Sequence, residues 1–137
     1  MDKSTLLSSV MTKKVIVAEL DTKFSNILTL FLDFKIYHLP VVFDNKLVGI
    51  LSMTDALKFY QEEVANITDP SKIDALFDIK KMMTHNPVTL KPENTIKDAA
   101  SLLASVKFRA VPITNEEGEI LGIISNKDMV KILNRIL

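Results

Sequence analysis

The sequence predicts a mixed α+β fold made of two copies of one β-α-β-β-α unit, and three observations predict it. The chain repeats itself: Met11-Thr12 returns as Met83-Thr84, Lys35 as Lys107 and Pro40 as Pro112, each 72 residues later. A constant offset across unlike elements marks a duplicated structural unit. Each copy alternates short β-branched runs with segments whose apolar residues recur at helical spacing. The composition is that of a folded chain, with 137 residues, 47% of them hydrophobic and 25% charged, and only 3 glycines and 5 prolines. Such a chain is long enough to bury a sizeable core and too apolar to stay disordered.

The elements follow in order. A short apolar run opens each copy, "VIVA" at Val15 and "PVTL" at Pro87. Capping residues come next, Asp21 and Thr22 in the first copy and Asn94 and Thr95 in the second. Phe24, Ile27, Leu28 and Phe31 then fall at i, i+3, i+4 and i+7, and Ile96, Ala99, Ala100 and Leu103 repeat the spacing, so each copy carries a helix with one core-facing stripe. Two strands follow, "HLPVVF" then "LVGILS" in one copy, "AVPIT" then "ILGIIS" in the other. The turn between them is "FDNKL" against the longer "TNEEGEI", which moves the offset to 73 at Gly49 and Gly122. A second helix closes each copy, from Met53 to about Val64 and from Asn126 to about Ile136. We therefore divide the chain into a first repeat at 1–66, a linker at 67–80 and a second repeat at 81–137. The linker is expected to be partly helical, with Asp69 as N-cap and Pro70 in the first turn.

Charge and composition exclude several classes. Seventeen basic and seventeen acidic residues cancel, so no global field favours nucleic acid or an anionic membrane. A local basic patch at Lys13, Lys14, Lys80 and Lys81 is the only route to nucleic acid, which is disfavoured. Without cysteine there is no disulfide framework or thiolate metal site. No apolar run reaches the roughly 18 residues of a membrane span, and the start lacks a signal peptide's apolar core, so the expectation is a cytoplasmic protein. The two histidines, His38 and His85, form no metal motif, and no nucleophile elbow or P-loop is present. We expect no catalytic residues, no metal and no enzyme.

Chemistry concentrates in one repeated phrase, "VGILSMTD" at Val48 to Asp55 and "LGIISNKD" at Leu121 to Asp128. Glycine inside a strand marks a close approach by another group. Ser followed three residues later by Asp, at the mouth of a helix, is a capping-box pattern. The same geometry offers a carboxylate to the two hydroxyls of a ribose, and free N–H groups at the helix start to a phosphate. The two roles are compatible.

The phrases "LPVVFDNKLVGILSMTD" and "VPITNEEGEILGIISNKD", each preceded by Met-Thr and a helix, resemble a pair of CBS domains, the tandem unit called a Bateman module. The resemblance covers nearly the whole chain. It implies two repeats packed about a pseudo-twofold axis, with clefts that hold an adenosine-containing ligand such as AMP, ADP or ATP. It also implies a regulatory, energy-sensing module that forms a homodimer and acts on an effector protein. Carried over residue by residue, it implies a first site of Ser52, Asp55 and His38 with Pro87, Val88, Phe108 and Arg109. The second site combines Ser125, Asp128 and Lys127 with Lys14, Val15, Ile36 and Tyr37. In each, Ser and Asp face the ribose and the other repeat holds the base. His38 is the phosphate-facing residue of the first site. Its counterpart in the second is Ala110, so Lys127 supplies the charge there. The alternative is a ligand-free dimerisation or scaffold module in which both Ser-x-x-Asp pairs are only caps.

Overall fold

The computed structural model describes residues 1–105 and 107–137. The architecture is mixed α+β, in two compact units. One unit is Ile16–Asn86; the other joins Met1–Val15 to Pro87–Leu137. Contacts thus divide the chain differently from the repeat boundaries, because the lead-in segment of each repeat joins the unit built by the other repeat.

In the Ile16–Asn86 unit, β1 (Ala18–Glu19) runs parallel to β2 (His38–Phe43), which pairs antiparallel with β3 (Lys46–Ser52), and β3 pairs antiparallel with β4 (Thr84–His85). Only the end of "VIVA" forms a strand, because this edge segment finds one parallel partner and reaches it at Ala18. The hairpin between β2 and β3 turns on two residues, Asp44 and Asn45, with φ of 51° and 64°. That is the tight two-residue connection whose twist suits a hairpin and which Asp and Asn accept.

Helix α1 (Phe24–Phe34) does not use the predicted caps. Its N-cap position is Lys23, without a side-chain bond, while Thr22 Oγ1 accepts from the Glu19 N–H at 2.9 Å. The cap arrives from the linker instead: Asp74 accepts from the backbone N–H and the hydroxyl of Ser25, both at 2.9 Å. Phe24, Ile27 and Phe31 face the core as expected, but Leu28 is 39% exposed. Helix α2 (Met53–Phe59) continues as a π-helical turn, Tyr60–Val64. The linker is helical in two pieces, α3 (Pro70–Leu76), with Asp69 as N-cap and Pro70 in the first turn, and α4 (Ile79–Met82). Phe77 anchors it, its ring tilted against Phe24 with centroids 5.1 Å apart and edge-on to Phe59 at 5.0 Å, the latter an arrangement aromatic pairs prefer.

In the other unit, α5 (Ile96–Leu103) precedes the β5 (Ala110–Thr114) and β6 (Ile120–Ser125) hairpin and α6 (Asn126–Ile136). "PVTL" contributes only a parallel bridge from Leu90 to Ile113. The β5–β6 loop spans five residues, 115–119, against two in its counterpart, and Gly118 at φ 83° takes the left-handed position such a loop requires. The core holds Leu7, Ile96, Val111, Ile113, Ile124 and Ile132. Leu7 comes from the N-terminal segment, which is tied to the start of α5 by hydrogen bonds from Ile96 and Lys97 to the carbonyls of Thr5 and Lys3. Among the described residues no helix is long and apolar enough to cross a membrane.

The matched glycines have a mechanical explanation. A Cβ on Gly49 would lie 2.4 Å from Met83 Sδ, and one on Gly122 would lie 2.5 Å from Met11 Sδ. Both are below any real carbon–sulfur contact. The close approach that each strand glycine permits is therefore made by the methionine of a Met-Thr pair. The adjacent residues pair with the same strands, Thr84 with Ile50 and Thr12 with Ile123.

Candidate functional site

The two Ser-x-x-Asp pairs close complete capping boxes. Ser52 Oγ accepts from the Asp55 N–H at 3.0 Å, and Asp55 Oδ2 accepts from the Ser52 N–H at 2.8 Å. Ser125 and Asp128 repeat this at 3.1 and 2.9 Å. The β-region backbone of each serine ends its strand, and the box satisfies donors that a helix start otherwise leaves unpaired. All four residues are half-buried. In each box one carboxylate oxygen, Oδ2, does the capping, and among the described residues Oδ1 has no hydrogen-bond partner.

A third box shows that the pattern alone does not specify a ligand. At the start of α5, Thr95 and Asp98 cap each other at 3.3 and 2.9 Å, and Asn94 Nδ2 adds a bond to Asp98 Oδ2 at 3.1 Å. The Thr95 backbone N–H and then the Asn94 amide hold the Asp98 carboxyl below the usual carboxylate range.

The helix starts offer fewer free amides than the sequence suggested. The Met53 N–H donates to the Tyr37 carbonyl at 2.9 Å, and the Asn126 N–H to the Arg109 carbonyl at 3.0 Å. With the Ser and Asp amides also engaged, a phosphate would depend on side-chain charge rather than on these N–H groups.

The remaining predicted residues are placed as follows. His38 stands opposite Ser52 in the β2–β3 register, and Ala110 stands opposite Ser125. The structure thus brings His38, Ser52 and Asp55 together in one unit. Ile36 and Tyr37 belong to that unit too, Ile36 half-buried against its core and Tyr37 60% exposed. Ser125, Lys127 and Asp128 share the other unit with Lys14, Val15, Pro87, Val88, Phe108 and Arg109. Of these, Lys14, Lys127, Val88 and Arg109 are exposed, while Val15, Pro87 and Phe108 are half-buried. Among the described residues no cluster of three metal-ligating side chains forms.

One residue that sequence reading passed over is Asn126, the first residue of α6. Its Oδ1 is buried and has no hydrogen-bond partner among the described residues. The available signal was "SNKD" against "SMTD", where the matching residue of the first copy is Met53.

Comparison with known proteins agrees with this architecture. The family model described as the CBS domain matches twice, at residues 7–62 and 78–135. A protein of Methanocaldococcus jannaschii, MJ1426, is 28% identical over 153 residues, covering 93% of this chain and 90% of that protein. An inosine-5'-monophosphate dehydrogenase of Korarchaeum cryptofilum is 32% identical over 91 residues, but the match covers only 16% of that enzyme. The crystal structure of CBSX2 in complex with AMP superposes with a TM-score of 0.80 at 27% identity, covering 96% of this chain and 98% of that one; CBSX2 is from Arabidopsis thaliana. Matched twice over most of its length and folded as CBS pairs are, the chain belongs to the CBS domain family as a tandem pair.

Proposed function

We propose that the protein is a regulatory module that binds an adenosine-containing compound at one or both Ser-x-x-Asp helix starts and thereby changes how it meets an effector protein. The observation that carries this reading is the division of labour within Asp55 and Asp128. Each carboxylate caps its helix through Oδ2 and, among the described residues, keeps Oδ1 without a hydrogen-bond partner, which suits an acceptor for ribose hydroxyls. CBSX2, at 27% identity, is crystallised with AMP, which supports an adenine nucleotide as ligand.

In this proposal Ser52, Asp55 and His38 serve the first site with Pro87, Val88, Phe108 and Arg109. Ser125, Asp128 and Lys127 serve the second with Lys14, Val15, Ile36 and Tyr37. His38 and Lys127 meet phosphate, and the others supply apolar surface and backbone groups to the base. The module performs no catalysis of its own. A homodimer in the cytoplasm, where adenine nucleotides circulate, completes the reading.

A thermal-shift series with AMP, ADP, ATP and S-adenosylmethionine tests it. Ligand at one hundred times Kd stabilises by roughly 2.7 kcal/mol per site, a rise of roughly 10 °C in Tm for a chain of this size. The second reading is a ligand-free dimerisation or scaffold module, favoured by the Thr95–Asp98 box, which has the same geometry at a helix start outside both proposed sites. It predicts no shift with any of the four compounds.

A further inference from the structure

The two copies present nearly superimposable backbone bonding at the start of the closing helix and different side chains on it. Met53 and Asn126 each follow the capping serine, and each donates its N–H to the carbonyl of the matching residue, Tyr37 or Arg109. Met53 packs against the core of its unit. Asn126 instead buries an amide oxygen that no described group satisfies. Burying a polar atom without a partner is unfavourable, and such atoms are rare enough in folded proteins that each calls for a reason. Packing does not supply one here, since the first copy shows that the same backbone accepts methionine.

We propose that Asn126 is a specificity-determining residue of the Asp128 site, whose amide oxygen pairs with a hydrogen-bonding group brought by an adenosyl ligand. With Oδ1 as placed, the ligand group is a donor, a ribose hydroxyl or the exocyclic amine. The inference rests on the functional reading above and goes beyond it. It makes the two sites chemically unequal, since Met53 gives the Asp55 site no such group. The pairing also requires a stem held in place, which the Ser125–Asp128 box and the bond to Arg109 provide on either side of the residue.

The test uses the full chain carrying Asp55→Ala, so that the Asp128 site is read alone, with AMP as probe in titration calorimetry. Adding Asn126→Met is expected to weaken AMP binding by about tenfold, the loss of one buried hydrogen bond. The same change is expected to raise the melting temperature of the ligand-free chain by roughly 3–6 °C, because an unpaired buried atom is removed. Asn126→Leu, which shares with asparagine the branch at Cγ, is expected to repeat both effects and guards against misfolding of the methionine variant. Unchanged AMP affinity overturns the proposal, as does a loss of affinity accompanied by a lower melting temperature, which would mark Asn126 as a packing residue. Adding Asp128→Ala separates the two levels. If the Asp55→Ala chain binds no AMP although the parent chain does, the Asp128 site takes no AMP and this inference falls while the functional reading stands on the Asp55 site; if Asp128→Ala leaves AMP binding intact, the functional reading itself falls and this inference with it. If it abolishes binding while both Asn126 variants do not weaken it, only the inference falls.

Discussion

A glycine in a strand and a methionine at least 34 residues away act as one unit in this chain. Gly49 exists as glycine because Met83 Sδ occupies the space a side chain would need, and Gly122 and Met11 repeat the arrangement. Gly49→Ala should therefore destabilise the protein by roughly 1–3 kcal/mol through overpacking. Combined with Met83→Ala, it should cost less than the two single changes added together, because the truncated side chain vacates the contested space. Denaturant unfolding of the four chains measures this, and additive losses would show that the pair is not coupled. Asp98 gives a second prediction at this scale. Its carboxyl is held below the usual range by the Thr95 backbone N–H and then by Asn94. A folded-state pKa below the unfolded one contributes stability above the unfolded value, near 4, and loses it as pH falls through the folded value. The stability gap between the parent chain and Asp98→Asn should hold at neutral pH and narrow steadily below about pH 5. A gap that stays constant to pH 3 would show that the charge is not used.

Elements were legible where their signal was local. The helical stripes, the two hairpins and the Ser-x-x-Asp starts follow from periodicity, turn residues and capping chemistry, all read within a few residues. What escaped was set by partners distant in the chain. Nothing near Phe24 indicates that α1 takes its cap from Asp74, 49 residues beyond Ser25. Nothing in "VIVA" or "PVTL" shows that only its last residues reach a neighbouring strand. The glycines did announce a close approach, but only the structure identifies the approaching group as methionine. Asn126 was passed over because a lone substitution within a repeated motif has no periodicity to flag it. The Asp74 cap predicts its own readout. Asp74→Ala should leave the sheet intact while speeding amide hydrogen exchange in α3 and the first turn of α1, which the carboxylate joins. Equal acceleration across β2 and β3 would instead mean that the linker is integral to the whole unit.

At the scale of the molecule, the lead-in segments knit the duplication together. Residues up to Val15 join the unit built mainly from the second repeat, and β4, which leads into that repeat, extends the sheet of the first. Neither unit is made from one repeat alone, so a chain cut between the repeats would separate Met83 from Gly49. Within these units the capping boxes hold Asp55 and Asp128 by Oδ2, and among the described residues Oδ1 of each has no hydrogen-bond partner. The most direct measurement of their proposed role is titration calorimetry with AMP on the parent chain, Asp55→Ala, Asp128→Ala and the double variant. The account predicts heat of binding in the parent, a reduced number of sites or a reduced affinity in at least one single variant, and no binding in the double. A double variant that binds AMP as the parent does would contradict it.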